Sequence, residues 1–201
     1  MIRTGNTKIR ALIEAKKLLQ EVGYNGFSFQ HIADALQIKK SSMYVHFKSK
    51  EDLGKCLIEE QRASFTAWTK TIEVFAPDAQ IGALFEIYQQ FSADTKKLCP
   101  LSALGTDFNS LPKSMRPALS KLYTFCFAWL ETIIKNGQDQ HLFRKDKTPV
   151  ELAKLVFAAG LGAQLCARLS NDPHQVRGIK QQILSILSVN QTVKKTARKT
   201  K

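Results

Sequence analysis

The sequence predicts an all-α protein of about nine helices. Apolar residues recur at three- and four-residue intervals along nearly the whole chain, the spacing of one helix face. No run of alternating β-branched residues passes through a hairpin turn into a second such run. The two Asn-Gly pairs, Asn25-Gly26 and Asn136-Gly137, each follow a helical pattern instead. With 201 residues, 44% apolar and 23% charged, the chain can bury a sizeable core without disulfide or metal staples.

The first helix is expected from Thr7 to Val22, with Ile9, Leu12, Ile13, Leu19 and Val22 on one side and Gly23 as a left-handed stop. Ser28 can cap a short second helix holding Ile32, Ala33 and Leu36. A polar turn leads to a third, Lys40 to Phe47. Ser49-Lys50-Glu51-Asp52 approximates a capping box whose acidic first turn favours a long fourth helix through Leu53, Leu57 and Ile58. All six prolines lie at or beyond Pro77, which sets a compact N-terminal unit apart from a larger bundle. Pro77-Asp78 opens a helix through Leu84, Tyr88 and Phe91, Cys99-Pro100 opens a shorter one, and Pro112 to Asn136 forms a long one with Leu119, Leu122, Trp129 and Ile133. Thr148-Pro149-Val150-Glu151 and Asp172-Pro173-His174-Gln175 each pair a capping residue with proline at the first helical position. The expected organisation is therefore an N-terminal unit over 1–60, a helical bundle over 61–189 and a basic tail over 190–201.

Thirty Lys and Arg against 17 Asp and Glu give a formal charge of +13, which favours a polyanionic partner such as nucleic acid or an anionic membrane surface. Lys194, Lys195, Arg198, Lys199 and Lys201 make the tail, expected to be solvated and mobile. The N-terminal excess is more focused, because Lys39, Lys40, Lys48 and Lys50 occur with no acid between Ala35 and Lys50. Met1 to Arg10 lacks the apolar stretch of a secretory signal and the apolar runs read as too short for a bilayer, so a cytoplasmic protein without a membrane partner is expected. Cys56, Cys99, Cys126 and Cys166 show no Cys-x-x-Cys spacing, which argues against zinc or a disulfide framework. No metal and no cofactor is expected.

Two short helices joined by a three- or four-residue turn, the second basic and rich in hydroxyls, are what a helix-turn-helix needs to enter the major groove. Lys39 to Phe47 fits. Met43 and Phe47, with Ile38 ahead, would anchor the helix, leaving Lys40, Ser41, Ser42, Tyr44 and His46 to meet phosphates or base edges. Periodicity and charge alone leave open a short surface helix with solvated lysines.

The stretch from Phe29 to Leu53, FQHIADALQIKKSSMYVHFKSKEDL, preceded by Gly23-Tyr24-Asn25-Gly26, resembles the DNA-binding domain of the TetR family of bacterial transcriptional regulators. Gly23, Ile32, Ala33, Tyr44, Phe47, Lys50 and Leu53 carry the likeness at their spacing. Gln37 stands where the family usually has the turn glycine, and Lys39 where it often has a capping serine. The resemblance is close over about residues 7 to 60 and rests on helix number and length beyond them. It implies an N-terminal helix-turn-helix DNA-binding domain joined to a C-terminal helical bundle for effector binding and dimerisation. It further implies a double-stranded DNA operator, with Lys40, Ser41 and Ser42 at the groove-facing start of the recognition helix. Tyr44 and His46 would touch the DNA backbone or a thymine methyl, and Lys50 would lie beside a phosphate at a helix N-terminus, a favourable place for an anion. Ser28 and Thr4 are weaker phosphate candidates.

A single recognition helix reads few bases, so a two-fold homodimer on a pseudo-palindrome is expected. Ala159, Gly162, Ala163 and Cys166 on the penultimate helix, and Val176, Ile179, Ile183 and Leu187 on the last, are the expected dimer face. The family likeness implies an unknown small-molecule or electrophilic effector held by the middle helices, for which Phe85, Tyr88, Phe108, Tyr123, Phe127 and Trp129 are candidates. Lys96-Lys97-Leu98-Cys99-Pro100 places Cys99 at a helix start beside two cations, both of which lower a thiol pKa, while the other three thiols read as small buried hydrophobes. Cys99-Pro100-Leu101 also resembles a stretch in a subset of the family, some members of which sense electrophiles through a nearby cysteine.

The expected function is a dimeric DNA-binding regulator, a repressor released from its operator by a small-molecule or thiol-reactive effector. Two rivals belong to other classes. A basic helical module would bind RNA or membrane surfaces without sequence preference. An enzyme would use Cys99 as nucleophile with His141 or His174 as base, but nothing ties those histidines to Cys99 and the N-terminal motif would be unexplained, so no catalytic residue is assigned.

Overall fold

A computed structural model describes residues 7–189. The basic tail and Thr4 lie outside the described residues. Within them the elements are α1 (Thr7–Val22), α2 (Phe29–Leu36), α3 (Lys40–Tyr44), α4 (Lys50–Ile72), α5 (Pro77–Ser92), α6 (Pro100–Thr106), a 3-10 turn (Phe108–Ser110), α7 (Arg116–Asp139), α8 (Pro149–Ser170) and α9 (Gln175–Leu187). The fold is all-α, and among the described residues the strand-like pairing is a single antiparallel bridge, Phe143 with Ser188.

Local chemistry accounts for most helix ends. Gly23 closes α1 at φ 77°. Gln37 closes α2 in the same left-handed region at φ 56°, its N–H donating to the Asp34 carbonyl at 3.1 Å, so the turn forms without glycine. At the start of α4 the Ser49 hydroxyl accepts the Asp52 N–H at 3.1 Å while the Asp52 carboxylate accepts the Lys48 N–H at 3.1 Å. Thr148 and Glu151 complete a reciprocal capping box at α8.

Three expected boundaries move. The third helix ends at Tyr44, because the Met43 carbonyl takes both the His46 and Phe47 N–H groups at 3.0 Å and closes a tight turn. α7 begins at Arg116 after a turn in which the Met115 N–H reaches the Pro112 carbonyl at 2.9 Å, and α9 begins at Gln175 because Asp172 Oδ1 takes the His174 N–H at 2.9 Å. The 60/61 division falls inside α4, which is continuous.

α1, α2, α3 and the first turns of α4 enclose one part of the core. Ala11, Ala15 and Leu19 are the buried face of α1 and Leu12 packs partly buried beside it, whereas Ile9, Ile13 and Val22 lie exposed, so the expected apolar side is split, with only Leu12 and Leu19 meeting the core. Small side chains such as Ala11 and Ala15 permit close helix approach, and α1 packs against α2, α4 and α6. In the C-terminal half, α5, α7, α8 and α9 pack as a bundle over Phe85, Leu130, Ile134, Val156 and Ile183. Gly160 admits Tyr88 to this core, since a Cβ there would lie 2.5 Å from its ring. By length and composition α8 is apolar enough to cross a bilayer, contrary to the expectation that no run would be. It packs instead against α5, α7 and α9, with one stripe buried and another exposed.

The left-handed Gln37 gives a stability test. A non-glycine residue there carries a steric cost of about 1–2 kcal/mol, partly offset by the greater freedom of glycine in the unfolded chain. Gln37→Gly is expected to raise the unfolding free energy by roughly 0.5–1 kcal/mol, read as a higher urea midpoint at unchanged m value. A lower midpoint would contradict the geometry.

Candidate functional site

α2, its left-handed turn and α3 form the candidate nucleic-acid face. Met43 and Phe47 are fully buried in the core as α3 packs on α2, which fixes the rotation of α3. Lys40, Ser41 and Tyr44 are thereby exposed, with Ser42 and His46 half-buried. The Tyr44 ring meets Phe29 edge-on at 5.2 Å and is still 55% exposed, so its orientation is held while its hydroxyl stays available. Val45, 79% exposed, and Lys48 belong to the same surface and were not among the expected contacts. The four-residue spacing of Met43 and Phe47 is the signal that would have put residue 45 outside.

Ser28 is half-buried at the start of α2, its N–H donating to His31 Nδ1 at 3.3 Å. Lys50, expected beside a phosphate, makes contacts within its own chain. Its ammonium donates to the Phe27 carbonyl and lies 4.5 Å and 4.6 Å from the ring centroids of Tyr24 and Phe27. Burial lowers its pKa, and it staples the α1–α2 connection to the start of α4. Burial, with the Glu51 charge adding to it, pushes the Tyr24 hydroxyl up to about 12.

The segment around α6 joins this domain to the bundle. At its beginning the Leu98 N–H donates to the Gln20 carbonyl at 3.1 Å and the Cys99 N–H to Gln164 Oε1 of α8 at 2.7 Å. Arg168 of α8 donates to the same Gln20 carbonyl at 2.8 Å and to the Lys96 carbonyl. At its end Asp107 Oδ2 accepts the N–H groups of Tyr24 at 2.7 Å and Asn25 at 3.3 Å. Gly23 is required there for a second reason, since a Cβ would come within 2.9 Å of that carboxylate oxygen.

Two cavities flank this segment. One of about 190 Å³ lies between α4, α5, α7 and α8, walled by Phe65, Trp68, Tyr88, Trp129 and Phe157, with Cys99 and Cys126 also on its lining. A larger one of about 510 Å³ lies between α6, α7 and α8 and includes Phe108 and Tyr123. The expected effector residues are thus divided: Cys99, Tyr88 and Trp129 line the first, Phe108 and Tyr123 the second. Phe127 packs on Tyr123 and Phe157, and Phe85 is fully buried core. Phe65 and Trp68 were not among the expected effector residues; their three-residue spacing places them on one face of α4 without showing that the face borders a cavity.

Cys99 overturns the expected activation. It is 5% exposed and caps α6, its sulfur accepting the Ser102 N–H at 3.3 Å. Burial pushes the thiol up, and the hydrogen bonds from Ser102 and Gln164 do not cancel this. Lys97 is engaged with Asp94 at 3.7 Å and Glu21 at 3.9 Å. Cys126 is pushed up to about 12 by burial. Cys166 is exposed and Cys56 half-buried, against the expectation that both sit inside.

The expected dimer face also divides. Ala163, Val176, Ile183 and Leu187 are buried within their own chain, because that stripe closes the bundle against α5. Gly162 and Cys166 are exposed, and Ala159 and Ile179 half-buried. Leu155, Leu165 and Leu169, the last 78% exposed, extend that outer stripe of α8 at helical spacing.

Residues 12–55 match the family described as bacterial regulatory proteins, tetR family, and residues 77–183 the tetracyclin repressor-like C-terminal domain. The chain is 24% identical over 172 residues to the HTH-type transcriptional repressor NemR of Escherichia coli strain K12, spanning 83% of this chain and 86% of that protein. It is 26% identical over 156 residues to the HTH-type transcriptional repressor DhaR of Mycobacterium sp. strain GP1, spanning 76% and 77%. A TetR transcriptional regulator from Legionella pneumophila superimposes with TM-score 0.83 at 29% identity, covering 93% of this chain and 100% of that one.

Two outcomes follow from the packing of these side chains. Lys50→Met is expected to destabilise the fold by roughly 2 kcal/mol, the worth of a partly desolvated cation on two rings and a carbonyl, read from urea unfolding. Wild-type stability in that variant would return the ammonium to solvent. Maleimide near neutral pH is expected to label Cys99 and Cys126 only after denaturation, as mapped by mass spectrometry; native labelling led by Cys99 would contradict its burial.

Proposed function

This chain belongs to the TetR family of bacterial regulatory proteins and is a helix-turn-helix transcriptional regulator, and on that premise we propose how its own residues do the work. The carrying observation is the exposed surface of Lys40, Ser41 and Tyr44 held in one orientation by the buried Met43 and Phe47. Lys40, Ser41 and Ser42 read base edges, Tyr44 and His46 hold the sugar-phosphate backbone, and Val45 meets thymine methyls. Lys50 acts as a positioning residue, keeping the α1–α2 connection against α4. Ser28 remains a weaker phosphate contact.

The protein works as a homodimeric repressor on a pseudo-palindromic operator, within the bacterial cytoplasm where that DNA lies. Pairing through the outer stripe of α8, with Leu155, Gly162, Leu165 and Cys166, would bury apolar surface that is otherwise exposed. The three parts are a DNA-binding unit, an effector and dimerisation bundle, and the basic tail, with α4 running between the first two. An effector entering the aromatic cavity displaces Cys99 and the start of α6. The bonds of Leu98 and Arg168 to α1, and of Asp107 to the α1–α2 turn, then carry that displacement to the recognition helix. The effector is a reversible small molecule in preference to a thiol-reactive one, since Cys99 is shielded and its pKa raised.

No catalytic residue, cofactor or metal is assigned. His141, a base candidate for the enzyme alternative, lines a surface pocket with Arg144 and Ser188, distinct from the cavity that holds Cys99. Footprinting on the DNA upstream of the chain's own coding region tests the regulator reading: a protected, roughly symmetric site is expected. Salt-sensitive coating of any DNA or RNA would instead favour the nonspecific module. Within such a site, Lys40→Ala is expected to shift preference among operator variants by about 1–3 kcal/mol. Tyr44→Ala is expected to weaken all variants alike. Binding assays in which Lys40→Ala leaves every preference unaltered would remove it from base contact.

A further inference from the structure

We propose that the aromatic cavity takes a planar arene of one or two fused rings carrying a single carboxylate, with the ring lying against Trp68, Trp129 and Phe157 and the carboxylate on the ammonium of Lys16. This deepens the reading of that cavity as the effector site and rests on it. The volume of about 190 Å³ sets the size of the guest. An apolar protein cavity of about 150 Å³ accommodates benzene, so a guest of one or two rings is of the size this one suits.

The walls set its shape. Phe65, Trp68 and Trp129 meet one another at centroid separations of 5.4–5.5 Å, offering ring faces and edges at several angles to a flat guest. The cavity also holds the two thiols, which burial keeps protonated and therefore apolar in character. Polar groups occur on the α1 and α4 side, where Lys16, Gln61 and Ser64 contribute.

Charge sets the head group. Lys16 is the one charged side chain on the lining, while its partner Glu60, at 3.0 Å, does not line the cavity. An aromatic box by itself suits a quaternary ammonium. The Lys16 charge at the mouth repels that guest and attracts an anion. Both members of the pair are only partly exposed, at 28% and 38%, so a carboxylate arriving from the cavity side meets a shielded ammonium, where a charge-assisted hydrogen bond is stronger than in water.

The position gives the interaction a consequence. Lys16 belongs to α1 and Glu60 to α4, so the ion pair is a clasp between two helices of the DNA-binding unit. A bound carboxylate competes with Glu60 for the same ammonium and loosens that clasp from within the cavity. Effector occupancy would thus reach α1 directly, alongside the route through α6.

The chain contains two tryptophans, and both are on this wall, so intrinsic fluorescence reports occupancy. The full-length protein is titrated, by fluorescence and calorimetry, with 2-naphthoate, 2-naphthylmethanol and 2-naphthylmethylammonium. Naphthoate is expected to bind at least about tenfold more tightly than the alcohol, and the ammonium most weakly. Lys16→Gln is expected to abolish the naphthoate advantage and leave the alcohol's affinity nearly unchanged. Glu60→Gln, which frees Lys16, is expected to strengthen naphthoate severalfold. Equal affinity for acid and alcohol, tightest binding of the ammonium, or an undiminished acid preference in Lys16→Gln would each overturn the proposal. If all three probes leave fluorescence and heat unchanged while operator protection persists, the cavity assignment fails and the DNA reading stands. Acid preference without any operator binding would do the reverse.

Discussion

The last turn of α1 ends in carbonyls that no helical N–H can reach, and the way they are satisfied joins the two halves of the molecule. The Gln20 carbonyl accepts from the Leu98 N–H ahead of α6 and from Arg168 near the end of α8. One atom of the DNA-binding unit is therefore shared by the two bundle elements that flank the cavities. Asp107 adds a second attachment, taking two N–H groups of the turn that leads into α2. These groups are polar and several are partly buried, so releasing one removes a hydrogen bond from a site with reduced access to water. These bonds tie α6 and α8 to the end of α1.

The same constraint explains the dual character of Cys99. A cysteine at a helix start next to lysines has the ingredients of a reactive thiol. Its backbone N–H is required by the buried Gln164, however, which draws the residue inside the bundle and away from solvent. Desolvation then outweighs the hydrogen bonds from Ser102 and Gln164, and the lysine that was to activate it is occupied by Glu21 and Asp94. What remains is a small apolar surface beside a box of aromatic rings. Lys50 is a related case. Its charge is drawn to the Phe27 carbonyl and two ring faces because Tyr24 and Phe27 close the domain core beside the start of α4.

Elements set by chemistry between near neighbours were legible from the residues. Gly23 as a left-handed stop, Ser49 before an acidic turn and the Thr148–Glu151 box each act within four residues, and each is found where the pattern placed it. The all-α class and the rotation of α3 were equally readable, because Met43 and Phe47 at a spacing of four leave one side for Lys40 and Tyr44. The start of α9 was misplaced by two residues, since the Asp172 side chain chose the nearer N–H of His174.

What depended on residues far apart in the chain was decided by tertiary packing alone. Periodicity marked Val176, Ile183 and Leu187 as apolar without saying whether a second chain or α5 would cover them, and α5 does. It marked Ile9 and Ile13 as the inner face of α1, but close helix approach favoured the smaller Ala11 and Ala15. Aromatic content in the middle of the sequence could not tell Phe85, which fills the core, from Trp129, which borders a void, nor bring Phe65 and Trp68 from α4 to the same wall. The sequence by itself determined the helices, most of their caps and which side of α3 is exposed, because those follow from interactions within a turn or two. Only the folded chain decided which apolar surfaces meet, which charges are shielded and where space is left, because those depend on how helices distant in sequence come to rest against one another.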